Sequence, residues 1–294
     1  MDALKWPKDK LEAMAHTIRR DVIVGVWKAA SGHPGGPLSA ADYLTALWFH
    51  HLRVRPDEPK WERRDRFIMS NGHCSMLNYA LLARRGFFHP SYLMTFRTTQ
   101  SKLQGHPNAT KLDGLEVNTG SLGQGLSVGV GMAHGAKLHG WDDVRIFVNC
   151  GDGELQEGQI WEAIMSAGHY GLDNLYVTID YNDAQIDGHV RDVMRIDPLD
   201  KKLEAFHFET IWVDGHNMEE ILQAWDAALA SKSGKPKALI MKTVMMKGCP
   251  TYENIPGWHG RPPKRDEAAQ MLKELGFDET PEEALASYGE VRFK

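Results

Sequence analysis

The sequence predicts an α/β fold, a mostly parallel sheet with helices on both faces, and three observations carry that reading. "VRIFVNC" and "LYVTIDY" are unbroken apolar runs rich in β-branched residues, the composition of strands buried on both faces. Around them, segments with apolar residues at helical spacing alternate with further apolar runs, the pattern of β-α-β units. Glycine-bearing turns close two of the strands, "SNGH" after "RFIM" and "GDG" after "VRIFVNC".

Taken in order, residues 10–30 repeat apolar positions at helical spacing, and "SGHPGGPLS" stops that helix with glycines and prolines. A second helix is expected from 40 to about 51. "RFIM" then reads as a short buried strand, Ser70-Asn71-Gly72 as a turn, and a helix begins at or just after His73. "TGSLGQG" is a turn leading into a helix of small residues. The strands "VRIFVNC" and "LYVTIDY" flank a helix over about 157–170. The alternation continues with "FETIWVDG" as strand, "NMEEILQAWDAALAS" as helix and "KALIMKTV" as strand. With no repeat, low-complexity tract or linker before residue 279, the sequence is read as one domain over 1–279 and a C-terminal tail over 280–294.

Composition narrows the function. At 294 residues, 42% hydrophobic and 25% charged, the chain can bury a sizeable core. A formal net charge of -5 offers no electrostatic reason to expect nucleic acid or an anionic membrane as partner. Three scattered cysteines, Cys74, Cys150 and Cys249, suggest neither a disulfide framework nor a metal-binding pair and fit a reducing compartment. No run reaches the roughly 18 apolar residues of a membrane span, and the charged N-terminus lacks a signal peptide's apolar block. The expected location is the cytoplasm.

The strand ends carry the chemistry. In a parallel β-α-β unit both strands run the same way, so "VRIFVNC" delivers Gly151-Asp152-Gly153 to the sheet edge where "LYVTIDY" delivers Asn182. That carboxyl edge is where open α/β sheets bind ligands. A carboxylate beside an amide oxygen is a hard, all-oxygen ligand set suited to Mg²⁺ or Ca²⁺ bridging to a phosphate. A helix N-terminus near Glu157 adds a favourable dipole for the anion. Taken singly, GDG is equally a turn and Asn182 equally a cap.

The GDG triplet followed by Asn182 resembles the thiamine diphosphate motif, and the surrounding words resemble transketolases in particular: "SGHPGGPLSAAD", "DRFIMSNGHCSMLNYALL", "GLEVNTGSLGQGLSVGVGMA", "GDGELQEG" and "IDYNDAQIDG". The likeness runs in order over about 10–275. It implies a thiamine diphosphate-binding fold, in the form of its diphosphate-binding domain, with thiamine diphosphate and Mg²⁺ as cofactors. By the resemblance, Asp152 and Asn182 ligate Mg²⁺ through side chains and Ala184 through its carbonyl. Gly153 offers its backbone to the diphosphate, Ile186 packs near the thiazolium, and Gly120 and Leu122 contact the aminopyrimidine. Between these two stands Ser121, where the family has a proline.

The resemblance also assigns four histidines. His33 and His106 hold sugar hydroxyls, while His73 and His259 contact the diphosphate. Imidazoles suit a reaction that moves protons on sugar hydroxyls near neutral pH. The words before His259, "CPTYENIPGW", depart from the family pattern. Glu157 matches a member of a carboxylate network linking two active sites across a dimer, although an acid in a helix's first turn is also favoured by the dipole alone. The remaining histidines, His216 among them, carry no functional reading.

Transketolases of the usual kind continue with a pyrimidine-binding and a C-terminal domain. The resemblance therefore implies the N-terminal subunit of a two-chain enzyme of the pentose phosphate pathway, active with a separately encoded partner, two copies of each. It would transfer a ketol unit from a ketose phosphate to an aldose phosphate. Part of a longer enzyme would read the same. Alternatives are a subunit of a dihydroxyacetone or deoxyxylulose phosphate synthase type of enzyme, or a non-catalytic assembly subunit.

Overall fold

A computed structural model describes residues 3–294. Five strands form one parallel sheet: β1 (Arg66–Met69), β2 (Ile146–Gly151), β3 (Leu175–Tyr181), β6 (Glu209–Asp214) and β7 (Lys237–Lys242), in the order β1-β2-β3-β7-β6. A two-residue antiparallel hairpin, β4 (Ala184–Gln185) with β5 (Gly188–His189), follows β3.

The continuous apolar runs are explained by two cores, one on each face. Along β2, Phe147 joins one core while Ile146, Val148 and Cys150 join the other; along β7, Leu239 and Met241 alternate with Ala238 and Ile240 in the same way. The first core lies under α1 (Lys8–Ala29), α2 (Gly35–Ala46), α3 (Ser75–Arg85), α8 (Met218–Ala230) and α9 (Arg265–Glu274). The second lies under α4 (Gln124–Leu138), α5 (Gly158–His169) and α7 (Leu199–Ala205), with the single turn α6 (Val190–Val193) nearby. Phe147 anchors the first core, with its ring 5.1 Å from that of Tyr176 and 5.5 Å from that of Trp225. Burying each such side chain contributes about 2–3 kcal/mol.

Two expectations need correction. The second helix starts at Gly35 rather than at 40, inside the stretch expected to be a break. Pro37 stands at its third position, where a backbone N–H has no intrahelical partner to lose, so the proline starts the helix instead of stopping it. Beyond Ala46 the chain widens into a π turn over Leu47–His51, closed by Leu52 N–H donating to Leu47 O at 2.9 Å. The stretch 280–294 is no loose tail: α10 (Pro281–Ala286) is capped by Thr280, Tyr288 donates its hydroxyl to Asp21, and Phe293 stacks on Phe88 at 5.8 Å. Among the described residues, no helix is long and apolar enough to cross a membrane.

Candidate active site

Register brings the two predicted strand ends together. Gly151 of β2 pairs with Asp180 of β3, and Asp152 and Asn182 follow at the same edge. Asp183 N–H donates to Asp152 Oδ2 at 2.6 Å, and Gly153 N–H to Asp152 Oδ1 at 2.7 Å, so the first acid is oriented by backbone from both strand ends. Asn182 is oriented by Asp180, whose Oδ2 accepts from Asn182 Nδ2 at 3.0 Å and from Ser39 Oγ at 2.5 Å, while its Oδ1 accepts from Thr243 Oγ1 at 2.5 Å. Its amide nitrogen thus committed, Asn182 keeps its oxygen for Ala184 N–H, at 2.9 Å, and for any cation.

Three buried acids set the electrostatics of this edge. Burial, then the neighbouring Asp180 charge, pushes the Asp152 carboxyl well above its ordinary range. Burial also raises Glu154 to about 7, against hydrogen bonds from Ser70 Oγ and the Gly123 and Gly151 N–H groups, and raises Asp180 to about 6. No lysine or arginine nitrogen lies within 4.0 Å of these three acids among the described residues. Buried carboxylates without a counter-charge are costly, and a hard divalent cation is the charge that this donor set fits. No group of three or more His, Cys, Asp or Glu forms a ready-made cage among the described residues. The donors therefore suit a metal that completes its shell with phosphate oxygens and water.

The acids open on a cleft of about 400 Å³ whose walls include His33, His73, His259, Asp152, Asn182 and Ile186. The imidazoles cluster: the rings of His33 and His73 are 5.2 Å apart, and those of His73 and His259 are 4.9 Å apart. Burial first, then His259, Arg97 and His106, brings His33 down to about 4. His73, His106 and His259 are all lowered too, in each case chiefly by burial. These rings are therefore neutral at pH 7, each with one donor and one acceptor nitrogen. His33 Nδ1 is buried without a partner in the protein.

The cleft also includes Gly120, Leu122, Gly153, Ala184 and Glu157 in its walls. Gly153 N–H is committed to Asp152. Glu157 is exposed and N-caps α5 by backbone alone, without a side-chain bond. Ser121 is exposed and outside the cleft walls. His106 is also outside them, but its ring lies against Gly120, where an added Cβ would sit 3.0 Å from the ring. The loops carrying Gly120 and His73 touch backbone to backbone: a Cβ on Gly72 would come within 2.6 Å of Gly120 N. Sequence reasoning missed Asp180, Ser39 and Thr243, which orient Asn182. The available signal was an acid inside the otherwise apolar "LYVTIDY", since a buried carboxylate in a strand needs a partner.

Residues 10–292 match the family described as transketolase, thiamine diphosphate binding domain. The chain belongs to the transketolase family. It is 39% identical over 267 residues to one subunit of the apulose-4-phosphate transketolase of Phocaeicola vulgatus, covering 91% of this chain and 94% of that one. The protein of the same description from Actinobacillus succinogenes is 40% identical, with 91% and 96% covered. Against mouse transketolase the identity is 36%, but the match spans 43% of the mouse chain. The crystal structure of Campylobacter jejuni transketolase superposes with a TM-score of 0.86 at 36% identity, over 95% of this chain and 45% of that one. The transketolase domain thus has two kinds of relative, short subunits of its own length and enzymes more than twice as long.

Proposed function

We propose that this chain is the N-terminal subunit of a two-chain transketolase, which moves a two-carbon ketol unit from a ketose phosphate to an aldose phosphate with thiamine diphosphate and Mg²⁺. The observation that carries the reading is one cleft holding uncompensated buried acids at one end and neutral imidazoles beside them. Relatives named as transketolase subunits and matched over nearly their whole length support the two-chain form. The partner would supply the pyrimidine-binding and C-terminal domains, in an assembly of two copies of each chain. Three buried free cysteines fit a place in the cytoplasm.

Asp152, Asn182 and the Ala184 carbonyl would hold the metal, with Ca²⁺ as an alternative ion, and Gly153, His73 and His259 would contact the diphosphate. Gly120 and Leu122 would meet the aminopyrimidine from the opposite loop, with Ser121 turned to solvent, and Ile186 would cover the thiazolium. Bound thiamine diphosphate supplies the electron sink that lets the bond beside the ketose carbonyl break and re-form. The chain's own contribution is positioning and proton management. His33 and His106, neutral at pH 7, can each accept a proton from one sugar hydroxyl and donate to another. Glu157, exposed at the cleft wall, would face the second half of the assembly. The test is ketol transfer from xylulose 5-phosphate, assayed for the chain alone and with a candidate partner. Turnover with the partner alone supports the proposal; turnover by the isolated chain, or none with any transketolase C-terminal subunit, overturns it.

A further inference from the structure

His33 and His106 sit on separate loops, the second held to α3 by Ser75 Oγ, which donates to the Gly105 carbonyl oxygen at 2.8 Å, and by the Tyr79 hydroxyl, which donates to the Gln104 carbonyl oxygen at 2.9 Å. Arg97 bridges the two loops. Its Nη1 donates to Ser31 Oγ at 2.7 Å and its Nη2 to the Gly105 carbonyl oxygen at 3.2 Å, which places one planar guanidinium two residues before His33 and one residue before His106. The fork lies close over Gly105, where an added Cβ would sit 3.2 Å from Arg97 Cζ. Phe96, the preceding residue, packs the same way on the other loop, 3.2 Å from where a Cβ on Gly32 would lie.

Two further features show that this placement is constrained. Arg97 has a φ of 59°, a left-handed conformation that is strained for an arginine, and its N–H is pinned to Leu103 O at 2.9 Å. It also has no acid partner: no carboxylate oxygen lies within 4.0 Å among the described residues, and its Nε is buried without a hydrogen bond. The groups facing His33 are His73, His106, His259 and Arg97. The charged group facing His106 is Arg97, and the Tyr79 hydroxyl bonds to the His106 carbonyl at 3.2 Å. Surface arginines rest against carboxylates or water. This one spends its donors on two loops and leaves its charge uncancelled beside two imidazoles.

We infer that Arg97 is a positioning residue of the site: its guanidinium ties the His33 loop to the His106 loop and keeps the sugar end of the cleft cationic. The inference rests on the proposed role of those two histidines. After burial, Arg97 is among the influences that lower both rings, so it also keeps each one neutral and able to accept a proton. The arginine is suited to this by its rigid fork, which a lysine lacks.

Two variants separate clamp from charge. Arg97→Lys keeps the charge and loses the fork; Arg97→Met loses both. With the partner chain present, both variants are expected to raise KM for the ketose about tenfold, as the charge-assisted tie between the two loops is lost, with thiamine diphosphate affinity unchanged within about twofold. In the chain by itself, ring titrations of His33 and His106 followed by NMR are expected to move to higher pH in Arg97→Met and to stay in place in Arg97→Lys. A purely structural role would not split the two variants in this way. Unmoved titrations in an Arg97→Met protein that still binds thiamine diphosphate overturn the inference. The NMR arm needs no turnover, so a failure of the ketol-transfer reading is recognised separately by absent activity in the unmodified pair.

Discussion

Replacing Asp42 by asparagine tests the link between the frame and the site. Asp42, in α2, receives both arms of Arg19, from Nη1 at 2.8 Å and Nη2 at 2.6 Å, and His216 Nδ1 at 2.8 Å. On the far side of the imidazole, Val244 N–H donates to His216 Nε2 at 2.9 Å. Val244 follows Thr243, which holds Asp180 and through it Asn182, so this strut joins α1 and α2 to the Asn182 end of the cleft. Burial pushes Asp42 up, but Arg19 and then His216 outweigh it and bring the carboxyl down from 3.8 to about 2. A depressed carboxyl contributes stability that is present above its unfolded value and is lost as pH falls through its folded value. Two units correspond to about 2–3 kcal/mol, and stranding a buried arginine costs about 3–5 kcal/mol. Asp42→Asn should therefore cost about 3 kcal/mol at pH 7, measured from urea unfolding. Linkage places roughly half of the titratable part below pH 3, so the deficit should shrink by about 1 kcal/mol at that pH. A deficit under about 1 kcal/mol at pH 7, or one that does not shrink at pH 3, would show that the Asp42 strut does not carry this stability.

Other consequences follow from single residues. His51 is 1% exposed with neither ring nitrogen bonded, and burial, then His50, Lys5 and Arg145, lowers it to about 2. Because its unfolded form takes up a proton first, it costs stability increasingly as pH falls below 6.5. His51→Phe should gain about 1–2 kcal/mol at pH 7 and more at pH 5 in thermal unfolding. Gly72→Ala forces a Cβ to within 2.6 Å of Gly120 N, so it should weaken thiamine diphosphate binding about tenfold, as read by calorimetry. Phe147→Ala, at the centre of the first core, should cost about 3–5 kcal/mol in urea unfolding.

The parts of the fold that periodicity encodes were legible. Each strand of the sheet, and α3, α4, α5 and α8 between them, fall where the apolar runs and helical repeats place them, because strands buried on both faces leave an unambiguous composition, whereas α6 and α7, between β3 and β6, were not anticipated. The adjacency of Asp152 and Asn182 was legible for the same reason, since parallel strands bring their ends to one edge. Illegible features depend on partners distant in sequence. Gly35-Gly36-Pro37 reads as a break or as a helix start, and only the packing of α2 against α1 decides which. The hairpin at 184–189 is too short to leave a pattern. His216 and Arg97 carry no local sign of function, because the groups they join, Asp42 with Val244 and Ser31 with Gly105, meet only after folding. The docking of 280–294 rests on Asp21 and Phe88, far up the chain.

We propose that Asp152 and Asn182 hold a metal through which this chain takes the diphosphate of its cofactor. Calorimetry of thiamine diphosphate binding, with and without Mg²⁺, on the wild-type chain and Asp152→Ala, each alone and with a transketolase C-terminal subunit, tests it most directly. Binding is expected to require Mg²⁺, to strengthen with the partner, and to fall at least about a hundredfold in Asp152→Ala, as removal of a primary charged ligand should. Binding that ignores Mg²⁺ and survives in Asp152→Ala would contradict it.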